Sequence, residues 1–359
     1  MKIGLFGGSF NPPHKQHLRI AKAAVKSGLV DKVWFVPVFM PVHKSDKDFL
    51  SYDDRCRLIS AAIQGKKNYD LCTIEKDLGG PSYTINTLRS LRASFPLHDF
   101  LLVVGSDSLN DIKNWHLSEK LALEAEIIAA VRPNFPVSES LSAYRYHMIE
   151  ICESAVSSTE IRRNIAKEPA MFSFLPAPTA ALIAAENFFS CWTNDFAGWV
   201  SKIKSKYSAL PENIIAHLNG TGLLAARYCS EMSADPRLGW LAGISHDLYR
   251  ASSDEEIKDV LANSSLILEK IEKSVPMLAH GAAAAFFLSG LSPAVPENVI
   301  SAVRMHTFPE DKCGAIEMAL VMADFLDPSR QNSKRDKLRN EKLDPEKRFK
   351  KVLRIKHKK

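Results

Sequence analysis

Short apolar runs alternate with single helical stretches through residues 3–131, and that alternation leaves few folds open. The runs are residues 3–6, 33–36, 71–74, 100–104 and 126–131. Between the first two, a helical period begins after Asn11-Pro12-Pro13 and places Leu18, Ala21 and Val25 on one face. Ser51 and Asp54 have capping spacing and open a helix that turns Leu58 and Ile59 inward. Ile85, Leu88 and Leu91 mark a third helix. Strands joined by single helices require right-handed crossovers and a mostly parallel sheet, with ligands at the carboxyl ends of the strands.

The chain has 359 residues, more than one hydrophobic core usually serves. From Glu212 onward the periods are helical: Leu218, Leu223 and Leu224 fall in one helix, and Leu238, Leu241 and Ile244 in the next. The expected division is residues 1–190, a connecting segment 191–210 that carries Trp192 and Trp199, a helical domain 211–332 and a tail 333–359. Charge is uneven along this plan. The tail holds 13 Lys/Arg against 4 Asp/Glu, a net of +9, so the other 332 residues carry a net of −3. A solvated tail making weak contacts with RNA or other anions is the expectation. It has no aromatic residue beyond Phe349, and no DNA partner is expected.

Six scattered cysteines without a CxxC pair argue against a disulfide framework or a thiolate zinc knot. The longest apolar run, residues 282–288, is far short of the ~20 residues a membrane span needs. Glycine, proline and histidine arrive too early for a signal peptide. These features fit a reduced, cytoplasmic protein.

Gly7-Gly8-Ser9-Phe10-Asn11-Pro12-Pro13-His14-Lys15-Gln16-His17 joins the first strand to the first helix. Glycines let backbone N–H groups approach an anion, and a helix start adds partial positive charge. His14 and His17 lie one turn apart and can donate to phosphoryl oxygens. Three more segments can reach the same sheet edge. Pro41-Val42-His43-Lys44 offers a mobile cation. Asp107, after Gly105-Ser106, can accept from a ribose or a substrate amide. In residues 157–163, Ser157 and Glu160 have capping-box spacing, leaving Ser158, Thr159 and free N–H groups for phosphate, and Arg162 can fork two phosphate oxygens.

A second set is spread through the helical half: His217, His246-Asp247, His280, His306 and Asp324. Imidazole and carboxylate suit borderline divalent metals. The acidic and histidine residues of residues 241–250 and 320–330 sit among apolar ones, and a buried Asp needs a partner that a metal would supply. Asp247 is the candidate catalytic ligand of this half.

The first set resembles the bacterial nicotinate-mononucleotide adenylyltransferases of the HxGH nucleotidyltransferase superfamily. GGSFNPPHKQHL, PVHK, PSYTINTL (81–88), GSDSLNDIKNW (105–115) and SSTEIRR carry the likeness over residues 1–190, with Gln16 at the glycine position of the HxGH motif. The resemblance implies a Rossmann-like α/β domain in which the phosphate of nicotinate mononucleotide attacks the α-phosphorus of Mg-ATP, giving deamido-NAD and pyrophosphate. His14, His17, Lys44 and Arg162 would engage the phosphates. Ser158 and Thr159 would hold ATP, and Tyr83, Thr84 and Trp115 would lie near the nicotinate end. Pantetheine-phosphate adenylyltransferase shares the opening motif and is the rival within the superfamily.

Residues 211–332 resemble the HD-domain phosphohydrolases, in particular the group that cleaves diadenosine tetraphosphate symmetrically. That likeness implies an all-α domain with a dinuclear metal centre, iron first among the divalent ions, held by His217, His246, Asp247, His280, His306 and Asp324. Tyr249-Arg250 and Phe308-Pro309-Glu310 depart from the group's pattern. Three readings follow: a bifunctional enzyme acting on small nucleotides, which is favoured; a transferase with a metal-binding regulatory half; and a structural or RNA-binding protein without catalysis.

Overall fold

The computed structural model describes residues 1–40, 49–131, 141–152, 156–262, 264–330 and 333–356. The chain divides into two compact units. The first comprises Met1–Arg163 and Phe174–Thr179, the second Asn164–Ser173 and Ala180–Lys359.

The first unit runs β1 (Lys2–Gly8), α1 (Lys15–Lys26), β2 (Lys32–Pro37), α2 (Tyr52–Ile63), β3 (Tyr69–Leu71), α3 (Ile74–Leu78), α4 (Thr84–Ser94), β4 (Asp99–Gly105), α5 (Ser106–Asp111), α6 (Ser118–Glu124), β5 (Glu126–Val131), β6 (Arg145–Glu150) and α7 (Ser158–Asn164). The strands form one sheet in the order β3-β2-β1-β4-β5-β6, and every pairing is parallel. Successive strand residues feed opposite faces. Leu5, Phe100, Leu102 and Ile127 pack with Ile85, Leu88 and Leu91 of α4. Phe6, Val33, Phe35, Val103 and Ile128 pack with Ile20, Ala21 and Ile59 of α1 and α2. The order reverses direction between β1 and β4, which opens a crevice at their carboxyl ends.

One strand expectation needs correction, and one strand carries no sequence signal. The run 71–74 is divided: β3 pairs with Val33–Phe35 and ends at Leu71, and Ile74 opens α3 behind Thr73. β6 is an additional strand, and its RYHMIE side chains are all half or fully exposed, so no apolar alternation marks it.

The second unit is helical throughout its described residues: α8 (Ala177–Glu186, whose first residues belong to the first unit), α9 (Asn194–Ser205), α10 (Glu212–Glu231), α11 (Pro236–Ser245), α12 (Asp254–Leu261), α13 (Lys270–Ser274), α14 (His280–Ser289), α15 (Glu297–Met305), α16 (Ala315–Leu326), α17 (Ser333–Asn340) and α18 (Pro345–Lys356). The segment 191–210 lies in this unit, where Trp199 is buried and Trp192 stacks on Trp240 at 5.2 Å. Arg237 donates to the Ala166 and Cys191 carbonyls and lies over the Phe172 ring, tying residues 164–173 to α11.

α10 and α11 cross at small residues. A Cβ on Gly243 would meet the Gly222 Cα at 2.4 Å, so nothing larger than glycine permits this approach. The crossing brings His217 of α10 close to His246-Asp247 at the end of α11.

The expectation of a solvated C-terminal tail is overturned. α18 places Phe349, Val352 and Leu353 at helical spacing, and all three are buried in the helical core together with Leu338 of α17. Lys347, Lys350, Lys351 and Arg354 are exposed while Arg348 is buried with the apolar residues, so the segment's high charge conceals an amphipathic helix. No helix among the described residues is long and apolar enough to cross a membrane.

Candidate functional sites

In the first unit the turn after β1 is built around Phe10. Its φ is 46°, in the left-handed region that non-glycine residues seldom occupy, and its ring is buried beneath Gly8. Burial against Phe6 and Phe35 offsets that backbone strain. His14 caps α1, and its backbone N–H donates to Nδ1 of His17 at 3.0 Å. A ring nitrogen that accepts carries no proton, so the His17 proton sits on Nε2, which is left as a donor. The two ring centroids lie 3.8 Å apart with their planes tilted by 36°. Burial lowers the His14 pKa to about 4 and, together with the neighbouring His14, holds His17 well below the usual imidazole range. Both are therefore neutral donors at pH 7.

Helix α7 returns to this turn from the far end of the unit. Ser158 donates to the Pro12 carbonyl at 3.0 Å and Arg162 to the Asn11 carbonyl at 2.9 Å. Ser157 accepts from the Glu160 N–H, as its capping spacing predicts. A cleft of about 430 Å³ opens here, lined by His14, Gln16, Gly105, Asp107, Ser157 and Ser158 among others. His17 lies behind His14 and does not line the cleft, and neither does Thr159. The Gln16 side chain donates to the Cys152 carbonyl at 3.0 Å.

Tyr83 and Thr84 open α4, away from that cleft. Tyr83 stacks on His116 with centroids 4.0 Å apart, while the half-buried Trp115 packs against the core. Lys44 lies outside the described residues. The chain leading to it is fixed, since Ser82 accepts from the Phe39 and Met40 N–H groups and Glu75 accepts from Phe39.

Sequence reasoning missed His116 and Arg55. The Arg55 guanidinium, 1% exposed, donates to the carbonyls of Ser9, Val38 and Leu50 and so pins the glycine turn to the loop after β2. A lone arginine in an amphipathic helix gives no signal of that role.

In the second unit all six residues of the proposed ligand set converge, and all are buried. Each imidazole is oriented by a bond from Nδ1. That of His246 donates to the Gly243 carbonyl at 2.8 Å, His280 to Met277 at 2.7 Å and His306 to Val303 at 2.7 Å. His217 donates to Asp327 Oδ2 at 2.6 Å. Carbonyl and carboxylate oxygens only accept, so each Nδ1 carries the proton and each Nε2 faces the centre.

Asp247 lies in the middle. Its Oδ1 is 3.0 Å from His280 Nε2 and 3.4 Å from His306 Nε2; its Oδ2 is 3.6 Å from His246 Nε2 and 3.8 Å from His217 Nε2. Asp324 Oδ1 is 3.3 Å from His217 and 3.7 Å from His246. Donors bound at about 2.1 Å to one ion sit ~3.0–3.4 Å apart, close to these separations. The atoms form two groups sharing Asp247: His217, His246 and Asp247, and Asp247, His280 and His306.

His246 Nε2 is buried without a hydrogen-bond partner, which is costly unless a metal takes it. Burial opposes charge on His217, yet the Asp324 and Asp327 carboxylates outweigh it and raise its pKa to about 9. Burial likewise opposes ionisation of Asp247 and Asp324, and the surrounding imidazoles hold both well below the usual carboxylate range. The centre draws positive charge, and its donor set fits divalent metal. Asp327, which orients His217, was not singled out from the sequence. The departure at Arg250 falls at this centre, with Nη1 3.4 Å from His280 Nδ1.

Comparison with known proteins places the first unit in a class. Residues 5–164 match the cytidylyltransferase-like family. A "Probable nicotinate-nucleotide adenylyltransferase" of Exiguobacterium sibiricum is 36% identical over 194 residues, which are 53% of this chain and 100% of that protein. The chain belongs to the nicotinate-nucleotide adenylyltransferase family. Among solved structures, a Plasmodium falciparum nicotinic acid mononucleotide adenylyltransferase complexed with NaAD covers 53% of this chain and 97% of its own, at 24% identity and a TM-score of 0.47. A "predicted HD superfamily hydrolase involved in NAD metabolism" from Clostridium acetobutylicum covers 43% and 80%, at 23% identity and a TM-score of 0.39. Neither superposition is close enough to carry weight.

Proposed function

We propose that the first unit transfers the adenylyl group of ATP to nicotinate mononucleotide. The closely packed neutral pair His14 and His17 at the start of α1 carries this reading, supported by what the relatives are called. An oxygen of the mononucleotide phosphate bonds to the α-phosphorus as the α-phosphorus–oxygen bond to the β-phosphate breaks, and pyrophosphate leaves with that electron pair. No protein nucleophile is required, because the work is positioning and charge stabilisation. His14, facing the cleft, donates to phosphoryl oxygens; His17 holds its ring and keeps a second donor at Nε2. Ser158 and Arg162 position residues 11–12, so the backbone N–H groups at the start of α1 remain aimed at the anion. Lys44 supplies a further cation, Mg accompanies ATP, Thr159 helps hold the nucleotide, and Tyr83, Thr84 and Trp115 form the nicotinate end.

We further propose that residues 211–332 form an HD phosphohydrolase that splits diadenosine tetraphosphate or a related nucleotide with water. The convergence of five Nε2 and carboxylate groups on Asp247 carries this second reading. His217, His246, Asp247 and Asp324 would hold one divalent ion and Asp247, His280 and His306 the other, iron being the first choice. When bound, such ions supply Lewis acidity and water activation. The chain's part is to fix each imidazole through its Nδ1 bond and to hold Asp247 within reach of both groups of imidazoles.

Paired substitutions test both readings. His17→Ala should abolish pyrophosphate release from ATP plus nicotinate mononucleotide while leaving diadenosine tetraphosphate cleavage, and Asp247→Ala should do the reverse. Release supported by pantetheine phosphate instead would overturn the first substrate. Metal-loaded protein that cleaves no nucleotide would make the helical half a regulatory module.

A further inference from the structure

α18 ends at Lys356, and that lysine does not point into solvent. Its side chain is only 18% exposed, its Nζ donates to the His306 carbonyl at 2.8 Å, and Asp324 Oδ2 lies 4.0 Å away. Across the same carboxylate, Arg330 Nη2 is 2.8 Å from Asp324 Oδ1 and 3.0 Å from His217 Nε2. Two cations from different elements therefore flank one proposed metal ligand.

Closing the end of α15 accounts for only part of this. His306 ends α15, and its carbonyl needs a donor. An ammonium has three donors, however, and the carbonyl uses one. A lysine that served only as a cap could keep its remaining donors in water, as long basic side chains usually do. Here the ammonium is mostly buried and lies beside the Asp324 carboxylate. Asp324 balances that ammonium; were this carboxylate committed to a divalent ion, a substrate anion would be needed beside Lys356 in its place.

We infer that Lys356 is a phosphate-binding residue of the His/Asp centre, so that the basic C-terminal segment contributes its charge to this site. This inference rests on the phosphohydrolase reading of residues 211–332. It differs from that reading in making the last helix, outside the span of the proposed ligands, part of substrate binding. An ammonium beside a phosphoryl oxygen gives a charge-assisted hydrogen bond, and Arg330 opposite it can take a second oxygen with its planar fork. Such a pair suits the closely spaced charges of a polyphosphate.

The test uses the full chain loaded with manganese(II), with inorganic phosphate as the probe and calorimetric Kd as the readout. Lys356→Met keeps the aliphatic stem and removes the charge. It should raise the phosphate Kd roughly tenfold at unchanged metal content. Lys356→Arg should stay within about threefold of the parent protein, since it keeps the cation. If Lys356→Met does not fold, Lys356→Gln retains a donor for the His306 carbonyl and carries the same comparison. A Kd within about twofold of the parent in the uncharged variants overturns the inference and leaves Lys356 a helix cap. If the parent protein binds phosphate but cleaves no nucleotide, the hydrolase reading fails and the variants still decide the role of Lys356. If the metal-loaded parent binds no phosphate, the inference fails.

Discussion

Replacing Asp327 by asparagine removes a charge that never touches the proposed metal ions. Asp327 Oδ2 accepts the His217 Nδ1 proton at 2.6 Å, and Ser329 donates to the same oxygen. Asparagine still offers an oxygen to hold the ring, but a neutral one, so His217 loses basicity. Outer partners of this kind are worth roughly 10–100-fold in metal affinity. The retained acceptor places Asp327→Asn near the low end, ~1.4 kcal/mol or a tenfold loss, and Asp327→Ala nearer ~2.7 kcal/mol. A second substitution reaches the same point from α10. A Cβ on Gly220 would stand 2.8 Å from Asp327 Oδ1, so Gly220→Ala must displace the carboxylate. It should match Asp327→Asn, and the double variant should show much less than the sum, because both act through one contact. Competition of the full chain with a fluorescent chelator for manganese reads the affinity directly. An Asp327→Asn affinity within about twofold of the parent would refute the argument that this hydrogen bond prepares His217 as a ligand.

Three other outcomes are expected. Arg55→Met strands the carbonyls of Ser9, Val38 and Leu50 and should destabilise the first unit by about 3 kcal/mol in urea melts; a loss below ~1 kcal/mol would mean that water replaces the guanidinium. His14 has a folded pKa of about 4 against an ordinary 6.5, so between those values the unfolded chain binds more protons. Stability contributed there is complete above pH 6.5 and falls as pH drops toward 4, by up to ~3 kcal/mol. His14→Gln should flatten that slope in denaturant melts at successive pH values, and an unchanged slope would assign it elsewhere. Phe349→Ala should destabilise the second unit by about 3 kcal/mol by thermal melting, whereas a change below ~1 kcal/mol would contradict the packing of α18.

What could be read from the sequence follows the strength of the periodic signal. Residues 100–104 and 126–131 announce central strands because both faces are buried, whereas β6 at the sheet edge, with charged and half-exposed residues, announces nothing. His246, Asp247 and Asp324 draw notice because they sit among apolar residues and need partners, whereas the full set of six candidate ligands comes from the resemblance to HD-domain proteins. Asp327 belongs to the same apolar stretch, but only the turn at the end of α16 reveals that it faces His217. Arg55 and His116 act through carbonyl acceptors and ring stacking that residue type does not encode. The tail reads as solvated because its charge dominates the segment, and Phe349, Val352 and Leu353 are few among its lysines and arginines.

The path of the backbone between the units has a practical consequence. The chain leaves the first unit after Arg163, comes back at Phe174 and departs again after Thr179. No single scissor cut therefore yields two whole pieces. A fragment ending near residue 190 would keep Ala166 and Phe172 but lose Arg237, the residue that holds them, while a fragment starting there would leave that guanidinium without the Ala166 carbonyl and the Phe172 ring. Dissecting the activities by point substitution in the intact polypeptide avoids an injury that truncation would inflict on the helical half, and a dead fragment would report on that injury before it reported on chemistry.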